Sequence, residues 1–99
     1  MLQAGFIFLA AVSEPERSRA VVPTDNVSLH VIGVNNYEEA VAAAKALVAQ
    51  GCTAIELCGG FGHRGAAAVA EAVEGKAAVG VVRFDTHPGL DNRSGDLLF

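Results

Sequence analysis

Apolar positions along the chain fall into short runs separated by polar and glycine-bearing breaks. Ala4–Ala11 (AGFIFLAA) is a continuous apolar run, the pattern of a strand covered on both faces. Val27–Val34 (VSLHVIGV), Thr53–Cys58 (TAIELC) and Ala77–Phe84 (AAVGVVRF) add β-branched residues and alternation, and predict three further strands. Ser13-Glu14-Pro15-Glu16 has the form of a capping box with proline in the first turn, and Pro23 ends what starts there, so a short helix is expected over about residues 14–22. Asn36 precedes Tyr37-Glu38-Glu39 and Gly51 follows Gln50, which sets a helix over Tyr37–Gln50. Alanine-rich Gly65–Glu74 supplies a third. The order βαβαβαβ predicts one α/β domain over residues 1–99 with a four-stranded, mainly parallel sheet, flavodoxin-like or a half-barrel. A ferredoxin-like α+β fold is the alternative. Asp85–Phe99 reads as an extended C-terminal segment whose apolar Leu97-Leu98-Phe99 end is expected to dock on the domain or on a neighbouring subunit.

Composition sharpens this picture. The 99 residues are 52% hydrophobic and only 18% charged, with a mean hydropathy of +0.37. A chain so poorly supplied with polar surface is expected to form a homo-oligomer. The net charge of −4, with no block of Lys or Arg, argues against nucleic-acid and membrane partners. The apolar run Leu2–Val12 lacks a basic leader and is too short to cross a bilayer. Cys52 and Cys58 flank a strand, and six extended residues span roughly 20 Å, beyond the reach of a disulfide. Reduced thiols and a cytoplasmic location are expected.

Candidate chemistry collects after the third and fourth strands, where open parallel sheets bind ligands. The first loop runs Cys58-Gly59-Gly60-Phe61-Gly62-His63-Arg64-Gly65 and the second Arg83-Phe84-Asp85-Thr86-His87-Pro88-Gly89. Gly60, Gly62 and Gly65 match a dinucleotide fingerprint, with Asp85 at the next strand end, but only fourteen residues follow Asp85, too few for the second half of a dinucleotide fold. The same glycines can form an anion nest at a helix N-terminus, with Arg64 or Arg83 as a fork. They can equally serve a tight turn alone.

Glu56 interrupts an otherwise apolar strand, and a buried carboxyl there would suit general acid–base work; a buried ion pair with Arg83 or an edge position explains it as well. His63 is the other acid/base candidate, or the partner of a Cys58 nucleophile. His63, Asp85 and His87 are of the ligand types for a divalent metal. Asn35 could hydrogen-bond a ligand, Tyr37 could wall the crevice or pack in its helix, and Phe61 could form a lid or wedge into another subunit. His30 reads as a hydrogen-bonded core or interface residue.

Three segments, Gly5–Ala10, Ile55–His63 and Val79–Gly89, together resemble a bacterial family of small proteins of about a hundred residues, known as a domain of unknown function. The resemblance spans nearly the whole chain and implies a unit that stands alone; it carries no activity. From the residues, the leading expectation is a small oligomeric enzyme acting on an anionic or carbonyl-containing small molecule by proton transfer, as an isomerase, lyase or hydrolase. It would need no cofactor. A non-catalytic ligand-binding or assembly module and a metal-dependent enzyme are the alternatives.

Overall fold

A computed structural model describes residues 1–99 apart from Val12. In chain order the elements are β1 (Leu2–Leu9), β2 (Arg19–Pro23), β3 (Val27–Val34), α1 (Tyr37–Ala49), β4 (Ala54–Leu57), α2 (His63–Ala72) and β5 (Ala78–Val81). The strands form one sheet in the order β2-β3-β1-β4-β5. All neighbours are parallel except β2, which runs antiparallel to β3. The chain is thus α/β, with five strands and two α-helices among the described residues in place of the expected four and three.

The difference lies in residues 14–22, which do not form a helix. Ser13-Glu14-Pro15-Glu16 begins only a turn: the N–H groups of Arg17 and Ser18 both donate to the Glu14 carbonyl, and Ser18 Oγ accepts from the Glu14 N–H. Arg19-Ala20-Val21-Val22-Pro23 then pairs with β3. Too few residues separate the cap from Pro23 for a helix to recover its nucleation cost. The two valines favour extended backbone, and proline is tolerated on an edge strand.

This substitution of a strand for a helix decides the layering. β3 lies on one side of β1 and β4 on the other, so right-handed crossovers would set the helices of the two connections on opposite faces. Among the described residues the β1–β3 connection carries no helix. Both remaining helices pack on each other, α1 against β1 and β3, α2 against β5. The result is a two-layer arrangement, not the three layers of a flavodoxin-like fold, and its parallel strands exclude the ferredoxin-like alternative.

The core lies between the sheet and the helices. Ile7, Ile55, Leu57 and Val34 project from the strands onto Ala40, Ala44 and Leu47 of α1 and Val69 of α2, all 0 or 1% exposed. Small alanines let α1 approach the sheet closely, and Leu47 fills the space above β1. Asn36 caps α1, its side chain accepting from the Glu39 N–H at 2.8 Å. Among the described residues no helix is long and apolar enough to cross a membrane.

Leu47→Ala is expected to lower unfolding free energy by about 2–5 kcal/mol, the range for buried leucine truncations. Urea unfolding followed by circular dichroism checks this; a loss under about 0.5 kcal/mol would contradict the packing described.

Candidate functional site

α2 begins at Gly62, a residue without a side chain to cap the helix, and its first N–H groups need an acceptor from elsewhere. Asp96, in a short 3-10 turn at Gly95–Leu97, provides it. Its Oδ1 accepts from the N–H groups of Arg64 at 3.1 Å and Gly65 at 3.3 Å, and its Oδ2 from Arg64 N–H at 3.1 Å. The Tyr37 hydroxyl donates to the same Oδ1 at 2.8 Å while accepting from Gly62 N–H at 3.0 Å. Phe61 stacks on Tyr37 with ring centroids 5.6 Å apart, and Phe99 lies tilted against Tyr37 at 6.2 Å. One carboxylate therefore ties together the C-terminal segment and the starts of both helices.

The anion nest expected for a ligand is filled by this side chain of the protein's own. The glycines of the loop are accounted for in the same way. A Cβ on Gly62 would strike Asp96 and Ser94, and one on Gly65 would strike the Tyr37 ring. Gly95 in turn lies against the Gly60 carbonyl, where a side chain has no room. The glycine pattern serves close approach of the C-terminal segment and Tyr37 rather than a pyrophosphate.

Burial acts to raise the Asp96 carboxyl, but the Arg64 N–H, the Tyr37 hydroxyl and the Gly65 N–H outweigh it and, with nearby His63, hold it below the ordinary aspartate value. Burial and the Asp96 charge push the Tyr37 hydroxyl up to about 12, against a smaller opposing effect of the Gly62 N–H.

Beside this cluster, at the C-terminal ends of β4 and β5, lies a hollow of about 430 Å³. It is lined by Gly62, His63 and Arg64 from the first loop, by Arg83, Phe84 and Asp85 from the second, and by Ser94, Asp96 and Leu97. The two loops meet around one space. Arg83 joins them: its Nε donates to Asp85 Oδ1 at 2.7 Å and its Nη2 to His63 Nε2 at 2.9 Å. A guanidinium can only donate, so His63 Nε2 is the acceptor in this contact. Arg83 and Asp85 are half or more exposed, so their pairing contributes little to folding.

Several expected site residues stand elsewhere. Glu56 is exposed on the sheet face away from the helices, neither buried nor paired with Arg83. Its register partners are Phe6 and Gly80. Cys58 Sγ accepts from the N–H groups of Leu9 and Gly60, both at 3.3 Å, and does not line the hollow. Gly59 is covered by the Phe84 ring. Phe61 is 3% exposed and belongs to the core, neither lid nor wedge. Asn35 is spent on structure: its Oδ1 accepts from Ser13 N–H at 2.8 Å, and its Nδ2 donates to the Ser13 carbonyl and to Glu39.

His87 Nδ1 accepts from Gly89 N–H at 3.0 Å and its ring packs on Phe84. It therefore does not join His63 and Asp85, and among the described residues no three His, Cys, Asp or Glu side chains converge as a metal cluster would. His30 hydrogen-bonds Gln3 at 2.9 Å. Both cysteines are free thiols.

Sequence reasoning missed Asp96 and Ser94. The signal available was the pairing of an uncapped glycine before α2 with an acid inside the apolar C-terminal hook.

Fold and site define a small two-layer α/β domain with an arginine-bearing hollow at the carboxyl ends of its parallel strands. Residues 2–97 match the model of a family of unknown function (DUF6506), and the chain belongs to that family. No curated protein and no solved structure matches it.

Two measurements test the Asp96 cluster. Asp96→Ala is expected to cost about 1.5–3 kcal/mol at neutral pH, as for hydrogen bonds to a charged group. Because the folded carboxyl is held low, that stabilisation is complete above about pH 4 and disappears as pH falls through the folded value. The gap between wild type and variant in urea should close in acid; a gap that stays constant would refute the role. Tyr37 is the single tyrosine, so ultraviolet titration reports it alone and should show ionisation near 12, moving down in Asp96→Ala as the carboxylate's share of the shift is removed while burial still holds the hydroxyl up.

Proposed function

We propose that the hollow binds a small anionic or carbonyl-containing molecule and that His63 exchanges a proton with it, in chemistry of the isomerase, lyase or hydrolase kind. The observation that carries this reading is the placement of Arg83. Its guanidinium is steadied through Nε by Asp85 and presents its other nitrogens to the hollow beside an imidazole. A ligand carboxylate that takes the Arg83 fork arrives next to His63 Nε2, the lone pair able to accept a proton once Arg83 turns to the ligand. Imidazole is the side chain suited to that exchange near neutrality. Arg64 adds a second positive charge to the lining.

Glu56 and Cys58 take no part in this reading, because neither lines the hollow. Asp85 acts by positioning Arg83. The two free thiols suit a reducing, cytoplasmic setting.

Binding is tested by titrating isotope-labelled protein with malonate, pyruvate and inorganic phosphate. Amide shifts are expected at Gly62–Arg64 and Arg83–Asp85, and Arg83→Ala should raise the dissociation constant roughly tenfold or more, the loss of a charge-assisted hydrogen bond. Absence of shifts, or an unchanged constant, would remove the anion clamp. Proton transfer is tested by exchange of the pyruvate methyl protons in D₂O. Wild type should accelerate it and His63→Gln should not, with binding retained.

A further inference from the structure

The sheet face turned away from α1 and α2 has no covering layer. Strand alternation and register place the apolar bulk on one half of it, with Phe6 and Phe8 of β1 and Leu29 and Val31 of β3, all half-buried. The other half carries small side chains, Ala54 of β4 and Ala78 and Gly80 of β5, apart from Glu56 beside Gly80. Among the described residues Glu56 is the only charged strand residue on this face. Parallel sheets are ordinarily buried on both sides, so a bare apolar face of this size calls for a partner.

Gly80 indicates what that partner does. Its φ is not positive, and a Cβ built on it would meet nothing within 4 Å. Neither backbone conformation nor an intramolecular neighbour requires glycine there, although glycine weakens a strand interior and often marks close approach from outside. A hollow of about 200 Å³, lined by Glu56, Gly80, Val81 and Val82, opens above it.

We propose that a second copy of this chain covers the face, related by a two-fold axis that sets the bulky half of each sheet on the glycine–alanine half of the other. An isologous contact needs a self-complementary surface, and this face carries both the projections and the seat for them. A single carboxylate gives a charged partner little to read, whereas homodimer interfaces are apolar at the centre. Five strands about 4.8 Å apart and up to eight residues long give a footprint on the order of 500 Å² before side-chain relief, approaching the roughly 800 Å² per partner of a standard interface. The hollow around Arg83 lies at the strand ends and stays open in such a pair.

Sedimentation equilibrium of the full chain at micromolar to submillimolar concentrations tests the proposal, with circular dichroism as the control for folding. Wild type is expected to be a dimer. Gly80→Val fills the seat with a residue that favours strands, and should raise the dimer dissociation constant about a hundredfold or more with the fold intact. Leu29→Lys, on the bulky half, should do the same and decides the matter should Gly80→Val fail to fold. A monomeric wild type would overturn the proposal, as would variants that dimerise as tightly as wild type. Dimerisation abolished by Leu97→Lys but not by either sheet-face variant would place the contact elsewhere and overturn it too.

Discussion

The Asp96 carboxylate is the joint on which the functional end of the molecule depends. It closes the open N–H groups of α2, receives the Tyr37 hydroxyl from the start of α1, and holds the C-terminal turn in place. A helix N-terminus with exposed donors attracts an anion, and here the chain supplies one from 32 positions away. Without that bond the segment carrying Ser94, Asp96 and Leu97 would lose its main polar attachment, and one wall of the hollow with it. The low-lying carboxyl of Asp96 and the high-lying hydroxyl of Tyr37 express one arrangement, in which the charge sits on the acid and the proton on the phenol.

Filling the nest internally changes what the glycine loop is for. Its residues allow tight contact between the β4–α2 turn, Tyr37 and the C-terminal segment, and the charged side chains that line the hollow stand beside that contact. Arg83, just past the end of β5, links the two loops through Asp85 and His63. Its own ion pair with Asp85 is exposed and weak as a stabilising contact, which leaves the guanidinium free to exchange partners.

The layering follows from a comparably local event. When residues 19–23 pair with β3 as an edge strand, the sheet loses the helix that would have covered its second face. Its apolar strand residues on that face then stand half-exposed. The hollow and the bare face lie on different sides of the protein and make separate demands on it.

The strands, the helix after Asn36 and the alanine-rich helix after the glycine loop were legible along the chain, because apolar periodicity and caps are local and these segments carry both. The meeting of the two loops was legible too, from the rule that parallel strands gather their exits at one edge. The edge strand was hidden, since a capping box and Val21-Val22 point to different structures and only the free hydrogen-bonding edge of β3 decides between them. The position of Glu56 was hidden for a related reason: alternation says that it opposes Ile55 and Leu57, but not whether the far face is covered. Asp96 was only faintly legible, from an uncapped glycine before α2 and an acid near the chain's end, because most of its partners are backbone N–H groups remote in sequence, which leave no mark in the amino-acid code. Local chemistry set the elements; which face is bare, which anion fills the nest and which cation guards the hollow were decided by contacts that exist only once the chain has closed on itself.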